Sequence, residues 1–520
     1  MGKKIIYQLL PRLWNQPGTR VPATGHFSDI DDAALDYISS LGTTHLWLTG
    51  VIRHATTISY PQCPASVPHV VKGDAGSPYA IIDYYDVNPY MADNVEERMA
   101  EFEHLLNRAN RHGLKVLIDF VPNHVARDYG RKGLCCDDVV PLGGEDSCLD
   151  HWKPENDFYY YPGEPLRLPV APPKGTPEYS EFPAKASGNC FSPFPGNNDW
   201  YETVRINYCD FHTRTWDRMY SIVRHWCLKG VSGFRCDMVE MVPWQFFKWL
   251  IARIKEEFPE VIFVAEVYST DLYRRYIDEV GFDLLYDKSG FYDRVRDIVE
   301  GHGSAQSLSR CWQFLGDMQP RMLNFLENHD EQRFASDFFA KDAARTFAAL
   351  GATLLFNTSS FMIYSGEEVG EKGMDAEGFS GRDGRTSIFD WCSPASEAAL
   401  IEYSRTGSGL DSKQAYLLSR WREMLDLAVL PSFSDGLCYD LGWCNSPENG
   451  FDRDRHFAFL RGFSGEDRDL YLVVCNFSSS RSEIDIRIPD DAFRFFGKEK
   501  TETAFRHISV DSDDCLVIRI

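Results

Sequence analysis

At 520 residues, 43% apolar and 14% aromatic, the chain can bury a large core and is too long for a barrel of about 250 residues alone. Its 54 basic and 77 acidic side chains leave a net charge of −23 along the whole length, which disfavours nucleic acid and anionic membrane as partners. Its 14 cysteines include no Cys-x-x-Cys pair, so neither a disulfide framework nor a zinc site is expected; reduced thiols, Cys236 and the adjacent Cys135 and Cys136 among them, fit a cytoplasmic location.

In chain order, Ile5–Leu10 follows Met1-Gly2-Lys3-Lys4 at once and reads as a first strand rather than a secretory segment. Ile6 stands where a myristoylation signal needs Ser or Thr, and no run of eighteen apolar residues occurs. A helix over Asp31–Leu41 leads to a strand at Thr44–Thr49, and a helix over Val95–His112 to a strand at Leu114–Phe120. Helices over Phe211–Lys229 and Pro243–Phe258 precede strands at Val231–Asp237 and Val261–Val267, followed by Phe282–Tyr286, Met322–Leu326 and Ser360–Tyr364. Eight such strands alternating with helices predict a parallel (β/α)8 TIM barrel over residues 1–124 and 205–430. Residues 125–204, rich in Pro, Gly and aromatics, form a long excursion after strand 3 that should wall a cleft. After a helix at Lys413–Leu427, short alternating runs at His456–Leu460, Leu470–Val474, Glu483–Ile488 and Cys515–Ile520 predict a C-terminal antiparallel β-sandwich domain over residues 431–520.

Four polar clusters sit where these apolar runs end. They are Asp119-Phe120-Val121-Pro122-Asn123-His124, Gly233-Phe234-Arg235-Cys236-Asp237, Glu266-Val267-Tyr268 and Glu327-Asn328-His329-Asp330. Carboxylates at the C-terminal ends of several barrel strands meet at one mouth. Each residue alone would read as a helix cap or a structural histidine; together they point to acid/base and nucleophilic chemistry on a polar, uncharged substrate.

With these four motifs in order and at these spacings, the chain resembles the α-amylase superfamily of glycoside hydrolases (family 13) over essentially its whole length. The resemblance implies Asp237 as nucleophile, Glu266 as general acid and base, and Asp330 as the residue that holds the distorted sugar. It also implies substrate contact by His124, Arg235 and His329. The segment Gly76-Ser77-Pro78-Tyr79-Ala80 with Asp83-Tyr84 resembles the family's loop after strand two and places Tyr79 beneath the sugar. Phe361–Glu368 resembles its eighth-strand segment, with Glu367 and Glu368 structural or at the rim. Retention requires a carboxylate and a carboxylic acid about 5–5.5 Å apart. Arg235, two residues before Asp237, is expected to keep Asp237 ionised, and apolar neighbours and like charges to raise Glu266.

Three departures limit the resemblance. Glu240 and Met241 replace a Lys-His pair on the leaving-group side, which argues against a plain starch-liquefying amylase, and Ala80 replaces the aspartate of terminal glucosidases. The calcium of many amylases uses the asparagine of the first motif, here Asn123, and an aspartate whose position falls to Arg205, so no metal or other cofactor is expected. The function implied is a retaining hydrolase of α-1,4-linked glucans or maltooligosaccharides, with a 4-α-glucanotransferase-like transglycosylase as the alternative. A non-catalytic binding barrel would lack the three carboxylates, and a metal enzyme would need His-x-His or His-Glu-x-x-His spacing, which is missing.

Overall fold

Alternation along the strands decides what faces the barrel lumen. The computed structural model describes residues 2–130, 139–373, 379–466, 468–498 and 503–520; Cys135 and Cys136 lie outside them. The barrel strands are β1 (Ile5–Leu9), β2 (His45–Leu48), β3 (Lys115–Phe120), β4 (Gly233–Cys236), β5 (Ile262–Ala265), β6 (Leu284–Tyr286), β7 (Met322–Asn324) and β8 (Ser360–Tyr364). All pair in parallel, and β8 closes on β1. Ile6, Trp47, Leu117, Val264, Leu284, Leu323 and Met362 fill the lumen as one apolar cluster. Their chain neighbours, such as Tyr7, Leu46, Ile118 and Phe263, pack outward under the helices. Two residues beyond Leu117 and Val264 on the inward face come Asp119 and Glu266, so the period of two that builds the core also delivers carboxylates to the mouth. Several predicted strands run past the paired segments: Val231, Val267 and Leu326 are buried but outside the ladder, so burial alone made them apolar.

The expected helices form at Asp32–Ser40, Arg98–Arg111, Arg214–Leu228, Trp244–Glu257 and Ser412–Ala428. After β5 the crossover is a short turn at Thr270–Leu272 and a π-helical Arg275–Val280. Among the described residues no helix is long and apolar enough to cross a membrane, and the described cysteines are free thiols.

Two loops rise above the mouth. After β2, Ile52–His54 pairs antiparallel with Ile81–Val87 and carries Tyr79. Gly76 turns that loop at φ +80°, and a Cβ there would lie 1.9 Å from the Ala55 carbonyl oxygen, so only glycine fits. The excursion after β3 is clamped at its base by His124–Ala126 pairing with Thr203–Arg205, with His124 opposite Arg205, and a second small ribbon joins Tyr160–Tyr161 to Ala184–Lys185.

The C-terminal unit has a sheet of β9 (Leu437–Asp440), β10 (His456–Gly462), β11 (Leu470–Asn476) and β14 (Asp514–Arg519), and a ribbon of β12 (Ser482–Ile488) and β13 (Ala504–Val510). Ala458, Leu460, Leu472 and Val474 meet Ile484, Ile486 and Val510 of the ribbon in a second core. The other face, with Phe457, Phe459, Val473 and Cys475, belongs to the barrel's own core. Neither β9 nor β13 was expected. In β13 only Ile508 and Val510 are buried while Phe505 is 63% exposed, so the alternation that marks a strand is nearly erased.

Candidate active site

One guanidinium organises the mouth. Arg235, on β4 and fully buried, places Nη1 2.7 Å from Asp237 Oδ1, Nη2 2.9 Å from Glu266 Oε1 and Nη2 3.8 Å from Asp330 Oδ2. Its planar fork suits two carboxylates at once. The aromatic rings of Trp47, Tyr79 and Tyr286 surround it at 5.5–5.6 Å. Sequence reasoning gave Arg235 to Asp237 alone; the structure corrects this, because the side chain bridges both acids.

The three carboxylates differ in setting. Asp237 is buried, and its Oδ2 has no hydrogen-bond partner among the described residues. Burial and the charge of Glu266 push its carboxyl well above the usual range, against the pull of Arg235. The expectation of an aspartate held ionised by Arg235 thus left out the opposing pull of burial and of Glu266 on the Asp237 carboxyl. Glu266 is not in purely apolar surroundings. Tyr268 Oη donates to its Oε1 and the Met238 N–H to its Oε2, each at 2.8 Å. Met238 takes a left-handed backbone (φ +46°) directly after Asp237, which turns that N–H toward Glu266. Asp330 is 42% exposed to the cleft. Burial would raise its carboxyl, but His329 Nε2 at 3.0 Å and the Arg235 and Arg385 cations prevail and take it down to about 2.

His329 and Tyr79 form the floor. The rings stack at 5.5 Å and 23°, Tyr79 Oη lies 2.5 Å from His329 Nε2, and the Gln8 amide meets His329 Nδ1 at 2.7 Å. Tyr79 also reaches Asp119 Oδ1 at 3.4 Å, while the Gly50 N–H holds Asp119 Oδ2. His124 stands one step away. It is buried against Trp200, hydrogen-bonds the Tyr79 backbone, and has its pKa pushed by burial down to about 3, so it is neutral. Among the described residues nothing links it directly to the three carboxylates. Ala80 packs with Ala55, Val71 and Ala126, away from the mouth.

Sequence reasoning missed Gln8, Trp47, Tyr286 and the role of Tyr268. The first three sit on the inward parity of their strands, a signal that strand alternation carries. It also missed the wall after β8, where Asp330 and His329 open on a cavity of about 230 Å³ lined by Ser380, Asp383, Arg385 and Phe389. On the leaving-group side Glu240 does not face the cleft as a free charge. Its carboxylate accepts from the Tyr268 and Ser269 N–H groups at 3.0 Å each and so sets the residue that touches Glu266.

Behind β7 and β8, Glu327, Glu367, Glu368, Glu371 and Glu397 gather round the buried Arg333, which donates to Glu327 at 2.7 Å and to Thr386 in the wall at 2.8 Å. Glu367 and Glu368 are therefore structural, not at the rim. Burial, helped by Glu368 and Glu371 against Arg333 and Ser365, pushes Glu397 up to about 8 from its ordinary 4.5. Between those values the folded chain keeps a proton the unfolded chain has lost, so stability falls as pH rises through the window. Glu397→Gln is therefore expected to raise the melting temperature more at pH 8 than at pH 5; an equal shift at both pH values would disprove the assignment.

At the place of the family's calcium stands Arg205. Arg205 Nη1 donates to the Gly188 carbonyl and Nη2 to the Met241 carbonyl, each at 3.0 Å, while Asn123 Nδ2 donates to the same Gly188 oxygen at 2.9 Å. A fixed cation already occupies the oxygen donors, so these residues do not fit calcium.

Comparison with known proteins agrees with this fold. The model of the alpha amylase catalytic domain matches residues 17–391. An alpha-1,4-glucan:maltose-1-phosphate maltosyltransferase of Myxococcus xanthus is 24% identical over 309 residues, 57% of this chain and 37% of that protein. Alpha-amylase 3 of Dictyoglomus thermophilum is 24% identical over 386 residues, 71% of this chain and 64% of that protein. The chain thus spans only 37% to 64% of the length of these curated relatives. The crystal structure of a maltogenic alpha-amylase from Thermotoga neapolitana superposes with a TM-score of 0.63 at 20% identity, covering 99% of this chain and 98% of that one. Since the matched region runs from the loop after β1 to the wall after β8 and takes in every carboxylate of the mouth, the chain belongs to the α-amylase family.

Proposed function

We propose that the protein is a retaining α-glycoside hydrolase acting on α-1,4-linked glucans or maltooligosaccharides. The observation that carries this reading is the Arg235 bridge, which sets Asp237 and Glu266 side by side at the barrel mouth with Asp330 alongside. In the first step Asp237 Oδ2 bonds to the anomeric carbon as the glycosidic C–O bond breaks, and Glu266 delivers its proton to the departing oxygen. In the second, Glu266 takes a proton from water, the hydroxide adds to the anomeric carbon, and the Asp237 ester bond breaks. Asp330, held anionic by His329 and Arg235, accepts hydrogen bonds from the sugar hydroxyls and favours the oxocarbenium-like state. Tyr79, with His329 behind it, offers an aromatic face to the sugar, and Arg235 and His124 keep the acids and that ring in place.

Likeness to a maltosyltransferase supports a second reading, in which a sugar hydroxyl replaces water in the second step. Maltoheptaose followed by NMR and chromatography tests both. The α-anomer as first product is expected; a β-anomer overturns retention. Products longer than maltoheptaose identify transfer, and shorter ones alone identify hydrolysis.

A further inference from the structure

The excursion after β3 and the turn after Asp237 come from distant parts of the chain, and Arg205 joins them. From the strand at the base of the excursion its two Nη atoms reach two different segments, one Gly188 of the excursion and the other Met241 of the turn Val239–Met241. No carboxylate pairs with it among the described residues: carbonyl oxygens and the face of Phe191, 4.7 Å away, satisfy its charge. Asn123 converges on the same place. Its Nδ2 shares the Gly188 oxygen, and its buried Oδ1 has no hydrogen-bond partner among the described residues.

We propose that Arg205 is a built-in cation that cross-braces the excursion to the turn after Asp237, doing here what a bound divalent ion would do with an aspartate at this position. A guanidinium and a calcium ion satisfy the same converging carbonyl oxygens, one by donated hydrogen bonds and the other by direct coordination. The guanidinium is part of the chain and cannot dissociate, so the brace persists whatever the calcium concentration. With aspartate at 205 the place would present a carboxylate, two carbonyl oxygens and the free Asn123 Oδ1, an all-oxygen set suited to a hard cation. The inference rests on the family membership but not on the roles given to Asp237 and Glu266, because its readout is melting rather than turnover.

The test is thermal melting of the native chain, Arg205→Met and Arg205→Asp, each in EDTA and in millimolar calcium. The native chain is expected to melt at one temperature in both. Arg205→Met should melt several degrees lower with no response to calcium. Arg205→Asp should melt low in EDTA and recover in calcium but not in magnesium, which demands a tighter octahedral shell. A native melting temperature raised by calcium, with the rise lost in Asn123→Ala, overturns the proposal. So does an Arg205→Met protein that melts like the native one, or an Arg205→Asp protein indifferent to calcium.

Discussion

Asp237→Asn is expected to lower turnover of maltoheptaose by on the order of 10⁴-fold or more while the protein melts no lower than the native chain. The amide oxygen can still accept from Arg235 Nη1, so the bridge to Glu266 survives, but the attacking oxygen is gone. The stability half of the expectation follows from the sign of the shift. Burial and Glu266 raise the Asp237 carboxyl, so above its unfolded value the aspartate costs stability that a neutral amide does not. The melting gain should therefore be present at pH 7 and vanish near pH 3, where the acid is neutral in both states. Turnover within tenfold of native would remove Asp237 from the role of nucleophile.

Glu266→Gln should cost about 10²–10⁴-fold on maltoheptaose, the range for loss of a general acid. On α-maltosyl fluoride the first step should be nearly spared, because fluoride departs without a proton. Tyr268 can still donate to the glutamine oxygen in the place of Oε1, while the Met238 N–H loses its acceptor because the amide nitrogen takes the place of Oε2, so it is the comparison of the two substrates on this one variant that isolates the proton. Equal losses on both substrates would mean that Glu266 shapes the site rather than protonating the leaving group.

Asp119, Arg235, Asp237, Glu266 and Asp330 were legible because a buried parallel strand is an apolar run and its end is an abrupt polar step. The barrel was readable for the same reason. What escaped depends on contacts between segments remote in sequence. Nothing near Arg235 says that its fork reaches Glu266 on the next strand as well as Asp237 on its own. Gln8 reads as one polar residue in a strand until His329, 321 residues on, closes over it. The wall carrying Arg385 has no periodicity, and β13 keeps too little buried surface to alternate. The motif leaves Glu367 and Glu368 either structural or at the rim, and only the enclosed Arg333 explains why they are inside.

The split allegiance of β10 and β11 bears on how the molecule comes apart. Helix Thr346–Leu355 is buried on every face, and part of its cover is the sheet: a Cβ on Gly351 would lie 2.4 Å from Cys515 Sγ. Phe457, Phe459, Val473 and Cys475 are thus shared property of two architectures, and Arg461 fastens them by donating to the Phe356 and Phe433 carbonyls. Such a seam leaves no plane along which the sheet can peel away without exposing the back of the barrel, so barrel and sheet lose structure in a single cooperative step. The sheet that backs the barrel is in this sense a staple on the scaffold that positions the carboxylates.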